Sequence, residues 1–153
     1  MFMTSAISSP RSIAISNGYA YISNGPTNSV AICTVSSSTG ALSNCSSTNI
    51  ASNILYAVWL DNGYAYFSSL NNNTMFQCNV DGTTGSLSSC SGYSSGGFDF
   101  PAGNAISNGF MYVSNAGGAN SIRKCTVSSV NGSLSNCGAT GSTFTQPNIN
   151  YIF

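Results

Sequence analysis

The sequence predicts an all-β fold: a β-propeller-like array of three four-stranded antiparallel blades plus one extra strand. Three observations predict it. The stretch Tyr19-Ala20-Tyr21-Ile22-Ser23-Asn24 returns as Tyr64-Ala65-Tyr66-Phe67-Ser68-Ser69 and as Phe110-Met111-Tyr112-Val113-Ser114-Asn115, a period of about 45 residues that marks stacked supersecondary units. Each copy is preceded by Asn-Gly, at Asn17-Gly18, Asn62-Gly63 and Asn108-Gly109, the dipeptide that supplies the two positive-φ residues of a type I′ hairpin. No helical periodicity interrupts these alternating segments. The other all-β arrangements are a sandwich, which has no need of the same hairpin three times, and a β-solenoid, whose coils are shorter than this repeat.

Each repeat reads as four strands in order. The first is the apolar or alternating run before the turn: Ile13-Ala14-Ile15, Val58-Trp59-Leu60 and Asn104-Ala105-Ile106. The second carries Tyr19 and Tyr21 on one face and Ala20 and Ile22 on the other, because strand side chains alternate. A loop of variable length follows (Gly25 to Asn28, Leu70 to Asn73, Ala116 to Asn120). The third strand holds a cysteine. A Gly-Xaa-Leu-Ser turn at Gly40, Gly85 and Gly132 then leads into a short fourth strand holding a second.

The six cysteines form three pairs at equal spacing: Cys33/Cys45, Cys78/Cys90 and Cys125/Cys137. Even counts at repeated spacing, with no histidine in the chain, predict disulfides; buried reduced thiols are the alternative. In a hairpin centred between each pair, the two Cβ atoms are cross-strand neighbours within bridging distance. Disulfides in turn predict an oxidising compartment, so the expected localisation is secreted or cell surface.

The chain is expected to be a single repeat domain over 1–153. Repeat 1 covers about 10–54, repeat 2 about 55–100 and repeat 3 about 101–146, with the start of a fourth at 147–153. Three blades are fewer than the four to eight of closed propellers and would leave open edges, so self-association through those edges is expected. The first eight residues lack the basic and apolar regions of a signal peptide.

Charge is scarce. Arg11, Asp61, Asp81, Asp99, Arg123 and Lys124 are the only charged residues, and neither Glu nor His occurs, against roughly one-quarter charged residues in ordinary domains. Without a basic field, nucleic acid is excluded as a partner, and no apolar run is long enough for membrane insertion as a helix. Asn44-Cys45-Ser46, Asn72-Asn73-Thr74 and Asn131-Gly132-Ser133 fit the N-glycosylation pattern, which so Asn/Ser-rich a composition produces by chance.

Tyr21-Ile22-Ser23-Asn24 and Tyr112-Val113-Ser114-Asn115, each followed by a polar loop and a further strand, resemble the YVTN-type propeller repeat of lactonase-like proteins. Tyr66-Phe67-Ser68-Ser69 matches loosely. The cysteine pairs in the last hairpins point to a disulfide-bearing bacterial variety. The resemblance covers nearly the whole chain and implies a fold more strongly than an activity. Relatives of that kind are expected to use acidic, basic or imidazole groups in a central pocket, and this chain lacks the Glu and His for it.

The sequence reading therefore expects no enzyme, no catalytic residue, no metal and no cofactor. It expects a non-catalytic extracellular binding or adhesive module, taking a glycan or a cell-surface protein on the variable loops, because loops on a rigid scaffold carry function. A structural subunit of a self-assembling fibre and a fragment of a lactonase-like enzyme are the alternatives. The candidate ligand-binding residues are Trp59, Asn72, Tyr93, Asp99 and Asn115. Trp59 replaces Ala14 and Ala105 and is either packing or a stacking platform. Asp99 sits in the longest connector without a counterpart. Asp61 and Asp81 read as turn residues, and Arg123-Lys124 as a solvated face.

Overall fold

A computed structural model describes residues 6–25, 27–50, 55–117 and 121–143. The first sheet holds β1 (Pro10–Ser16), β2 (Tyr19–Asn24), β3 (Ser29–Val35) and β4 (Leu42–Asn49), in that spatial order. The second holds β5 (Leu55–Asp61), β6 (Tyr64–Ser69), β7 (Thr74–Val80) and β8 (Leu87–Tyr93); the third holds β9 (Pro101–Ser107), β10 (Phe110–Asn115), β11 (Ser121–Val127) and β12 (Leu134–Thr143). Each sheet is an antiparallel meander, and β1, β5 and β9 lie side by side as the innermost strands. This is the predicted blade array. The expected extra strand at 147–153 lies outside the described residues.

The turns form as their residues dictate. Asn17 and Gly18 take φ of 51° and 77°, and Asn62-Gly63 and Asn108-Gly109 repeat the pattern, as type I′ requires. The last hairpin of each sheet packs beside the first: the Val35, Val80 and Val127 amides donate to the Gly18, Gly63 and Gly109 carbonyls at 2.8–2.9 Å. Asp81 caps its turn by accepting the Thr83 and Thr84 amides, and these bonds hold its carboxyl below the usual carboxylate range, that to Thr84 most.

All three expected disulfides form, Cys33–Cys45, Cys78–Cys90 and Cys125–Cys137, with Cα atoms 4.0 Å apart. The cysteines are not simple cross-strand neighbours, however. The register slips between Ile32 and Thr34, between Gln77 and Asn79, and between Lys124 and Thr126. One cysteine thus faces two residues of the outer strand, a β-bulge. The extra residue is Asn44, Ser89 or Asn136, each with φ of 48–49°, and Asn is among the few residues that tolerate this conformation.

Packing between sheets makes the core. One cluster joins the first two sheets through Tyr21, Val30, Leu55, Val58, Phe67 and Cys78. A second joins the next pair through Tyr66, Met75, Phe98, Met111, Val113 and Leu134. The Tyr-Xaa-Ser-Asn signature explains itself here. Its tyrosine reaches the next sheet: the Tyr21 and Tyr66 hydroxyls donate to the Gly85 and Gly132 carbonyls at 3.0 and 2.8 Å. Its serine ties down innermost strands: Ser68 and Ser114 accept the Ala57 and Gly103 amides, while Ser23 donates to the Tyr56 carbonyl. Its asparagine holds the incoming connector: Asn24 Nδ2 donates to the Ala6 carbonyl and Asn115 Nδ2 to that of Gly97.

Burial pushes the Tyr21 hydroxyl up to about 12, with smaller contributions from Tyr19 and Asp81, and pushes Tyr66 up in the same direction. Free tyrosine ionises near pH ~10. Below that pH both states are protonated and the stabilisation is complete. Above it the unfolded chain loses its protons first, so stability should fall as pH climbs from about 10 to about 12. Urea midpoints measured across that range should fall less steeply for a Tyr21→Phe/Tyr66→Phe variant. Equal slopes for variant and wild type would refute this origin.

Candidate functional site

The two ends of the array differ. At one lie the Asn-Gly and Gly-Xaa-Leu-Ser hairpins; at the other lie the β2–β3, β6–β7 and β10–β11 loops with the connectors. The loop end is laced to its connectors: the Gly25 amide donates to the Ser9 carbonyl, Ala116 to Phe100, and Gly117 to Asp99. The Phe100 amide donates to Asn73 Oδ1 at 2.8 Å, which ties the third sheet's connector to a loop of the second.

The five candidate residues do not gather at one place. Asn72 is exposed on the β6–β7 loop, and its carbonyl accepts the Thr74 hydroxyl. Tyr93 ends β8 and packs against the second core cluster. Asn115 is buried at the end of β10, holding Gly97 and Ser121. Asp99 is half-buried in the connector before β9, with its carboxyl so close to Gly117 that a Cβ there would collide with it. Of the three carboxylates, Asp61 and Asp81 sit at the hairpin end, and Asp99 alone belongs to the loop end. Trp59 lies on β5 and is 38% exposed.

Trp59 lines a groove of about 440 Å³ that crosses all three innermost strands. Ser12 comes from β1, Ala57 and Val58 from β5, and Asn104 from β9. Asn104 is buried; its Nδ2 donates to the Tyr66 carbonyl at 3.4 Å, and its Oδ1 has no partner. Ser12 Oγ accepts the Val58 amide at 3.3 Å, leaving its own proton free to be donated. Buried amide oxygens normally have a hydrogen bond; Asn104 Oδ1 lacks one and is closed off from solvent within the groove's wall, so the open groups of the groove are the Trp59 indole and the Ser12 hydroxyl. The groove's described lining carries no charge. Smaller clefts of about 210 and 280 Å³ open at the hairpin end, both lined by Asp61. The sequence reading passed over Asn104 and Ser12. The available signal was register: Asn104 stands where the other repeats have Ile13 and Val58.

No protein-family model and no curated protein matches the chain. Solved structures do. A candidate 6-phosphogluconolactonase from Bacteroides fragilis matches with TM-score 0.76 at 21% identity, over 92% of this chain and 40% of its own. Another candidate 6-phosphogluconolactonase, from Bacteroides uniformis, matches at 0.74 and 19%, over 90% and 41%. The periplasmic gluconolactonase PpgL of Pseudomonas aeruginosa matches at 0.72 and 18%, over 84% and 38%. The chain thus shares the β-propeller fold of lactonase-like proteins and spans about two-fifths of their length.

These likenesses correct two expectations. The reading of the chain as a non-catalytic binding or adhesive module, and as no enzyme, is overturned by the lactonases among its structural neighbours. That reading rested on the missing Glu and His. Its physical flaw is that a propeller site draws residues from many blades around one channel, so three blades lacking those types exclude nothing about the ring.

Proposed function

We propose that the chain supplies three blades, and the lactone-binding groove, of a lactonase-like enzyme acting on uncharged sugar lactones. The fold shared with lactonases carries the reading, and the chemistry of the groove supports it. The Trp59 indole offers an apolar face to the C–H side of a sugar ring. The Ser12 proton can be donated to a lactone oxygen. Hydrolysis adds water to the lactone carbonyl, breaks the ring C–O bond and moves a proton to the departing oxygen. Asp99 lies outside the groove's lining, so no described residue of the groove takes the proton from water.

A phosphorylated lactone would meet no cation among the groove's described residues, so gluconolactone is the preferred substrate over its 6-phosphate. The three disulfides and the periplasmic neighbour favour a secreted or periplasmic enzyme. The tetrapeptides are assigned to the YVTN-type repeat. Initial rates of gluconolactone hydrolysis, corrected for spontaneous opening, test the proposal. Trp59→Ala should raise KM about tenfold, equivalent to roughly 1.4 kcal/mol of lost ring contact. No turnover above the spontaneous rate, or a Trp59→Ala variant matching wild type, would sink it.

A further inference from the structure

The joint between neighbouring sheets is built the same way twice. In the first, the Tyr19 ring lies on Gly85, where an added Cβ would meet it at 2.5 Å. The Tyr19 hydroxyl donates to the Thr83 carbonyl at 2.7 Å and that of Tyr21 to Gly85 at 3.0 Å. In the second, Tyr64 lies on Gly132 at the same 2.5 Å, and Tyr64 and Tyr66 donate to the Val130 and Gly132 carbonyls.

The chain holds a third copy of each half, and these two halves face away from each other. Gly40 has φ of 70°, matching 71° and 69° at Gly85 and Gly132, yet a Cβ on it would meet nothing within 4 Å. Two positions on from it Leu42 is 40% exposed where its counterpart Leu134 is 7%, and on the innermost strand of the same sheet Ile13 is 53% exposed where Val58 is 5%. Ala6 and Ile7 pack over Ala20, Ile22 and Cys33 of that face, and among the described residues nothing covers the rim at Gly40. At the other end Tyr112, in register with the fully buried Tyr21 and Tyr66, is 36% exposed. Among the described residues its hydroxyl finds no acceptor.

We propose that these are two halves of one further joint, closed by a second copy of this chain. Phe110 of one copy lies on Gly40 of the other, and the Tyr112 hydroxyl donates to the Gly40 carbonyl. The occupant follows from continuity with the internal joints: the surface around Gly40 is the one that Gly85 and Gly132 offer to aromatic rings of the same repeat. Because the faces differ, the contact is head-to-tail. Two copies bring six blades together, within the range of closed propellers. The joint is made by side-chain faces, whereas the sequence reading placed self-association at open backbone edges. It stands apart from the lactone reading, and its readout is mass, not turnover.

Sedimentation equilibrium of the full chain from micromolar to near-millimolar concentration tests it. The wild type should approach twice the 15.7 kDa monomer. Tyr112→Asp and Leu42→Asp should each stay monomeric, since every joint they can form is missing one half. Mixed together they should recover a one-to-one dimer through the single joint intact in both halves. Tyr112→Phe, which removes one hydroxyl from a solvent-facing side chain and should fold normally, should weaken association about fivefold to tenfold. A wild type that stays monomeric throughout the range would overturn the proposal. So would single Asp variants that associate as tightly as wild type.

Discussion

Removing the disulfide of the middle sheet with Cys78→Ala/Cys90→Ala is expected to lower the unfolding free energy by about 3 kcal/mol. The loop it closes spans 12 positions, and the chain-entropy argument assigns the cost to freedom restored to the unfolded state. Cys78 is fully buried in the cluster joining the first two sheets, so the lost sulfur contacts add to that cost. Reducing all three bridges removes the same constraint three times, in outer strands that are largely exposed Ser and Asn. Since whole domains are stabilised by only about 5–15 kcal/mol, the reduced chain should be unfolded at physiological temperature. Urea melts with and without reductant check both statements. A variant within about 0.5 kcal/mol of wild type, the scatter expected of neutral surface substitutions, would show the bridges to be incidental.

Gly132→Ala is expected to cost more than Gly40→Ala at nearly identical backbone geometry. Both residues sit at φ near 70°, where a side chain costs about 1–2 kcal/mol. That is the whole expectation for Gly40 at concentrations where the chain is monomeric, because its Cβ enters open space. At Gly132 the Cβ would meet the Tyr64 ring at 2.5 Å. The ring cannot retreat without stretching its hydroxyl bond to the Val130 carbonyl. Overpacking of this kind adds about 1–3 kcal/mol, so Gly132→Ala should reach roughly 2–5 kcal/mol in total. Gly85→Ala, pressed by Tyr19 in the same way, should behave like Gly132→Ala. Equal losses at all three glycines would mean that the ring contacts do not hold neighbouring sheets together.

What the sequence determined by itself was local. Asn17-Gly18 and its two counterparts specify a type I′ hairpin because few other dipeptides supply two positive φ angles, and those turns set the strand register. Equal cysteine spacing specified three bridges because each pair belongs to one hairpin. The bulge beneath each bridge was also written locally, in the Asn or Ser before the second cysteine, though only the register of β3–β4, β7–β8 and β11–β12 brought it out. What only the tertiary structure decided was every relation between sheets. Tyr21 and Gly85 are 64 positions apart, and nothing in either neighbourhood names the other. Asn115, a ligand-binding candidate at the end of the second-strand signature, is buried in the fold and donates to the Gly97 carbonyl, 18 positions away. Ser12, Trp59 and Asn104 come from three separate repeats and share a groove only because β1, β5 and β9 lie side by side. A hairpin forms from contacts a few residues apart, whereas a groove between blades depends on how whole sheets stack, which periodicity and spacing along one chain do not encode.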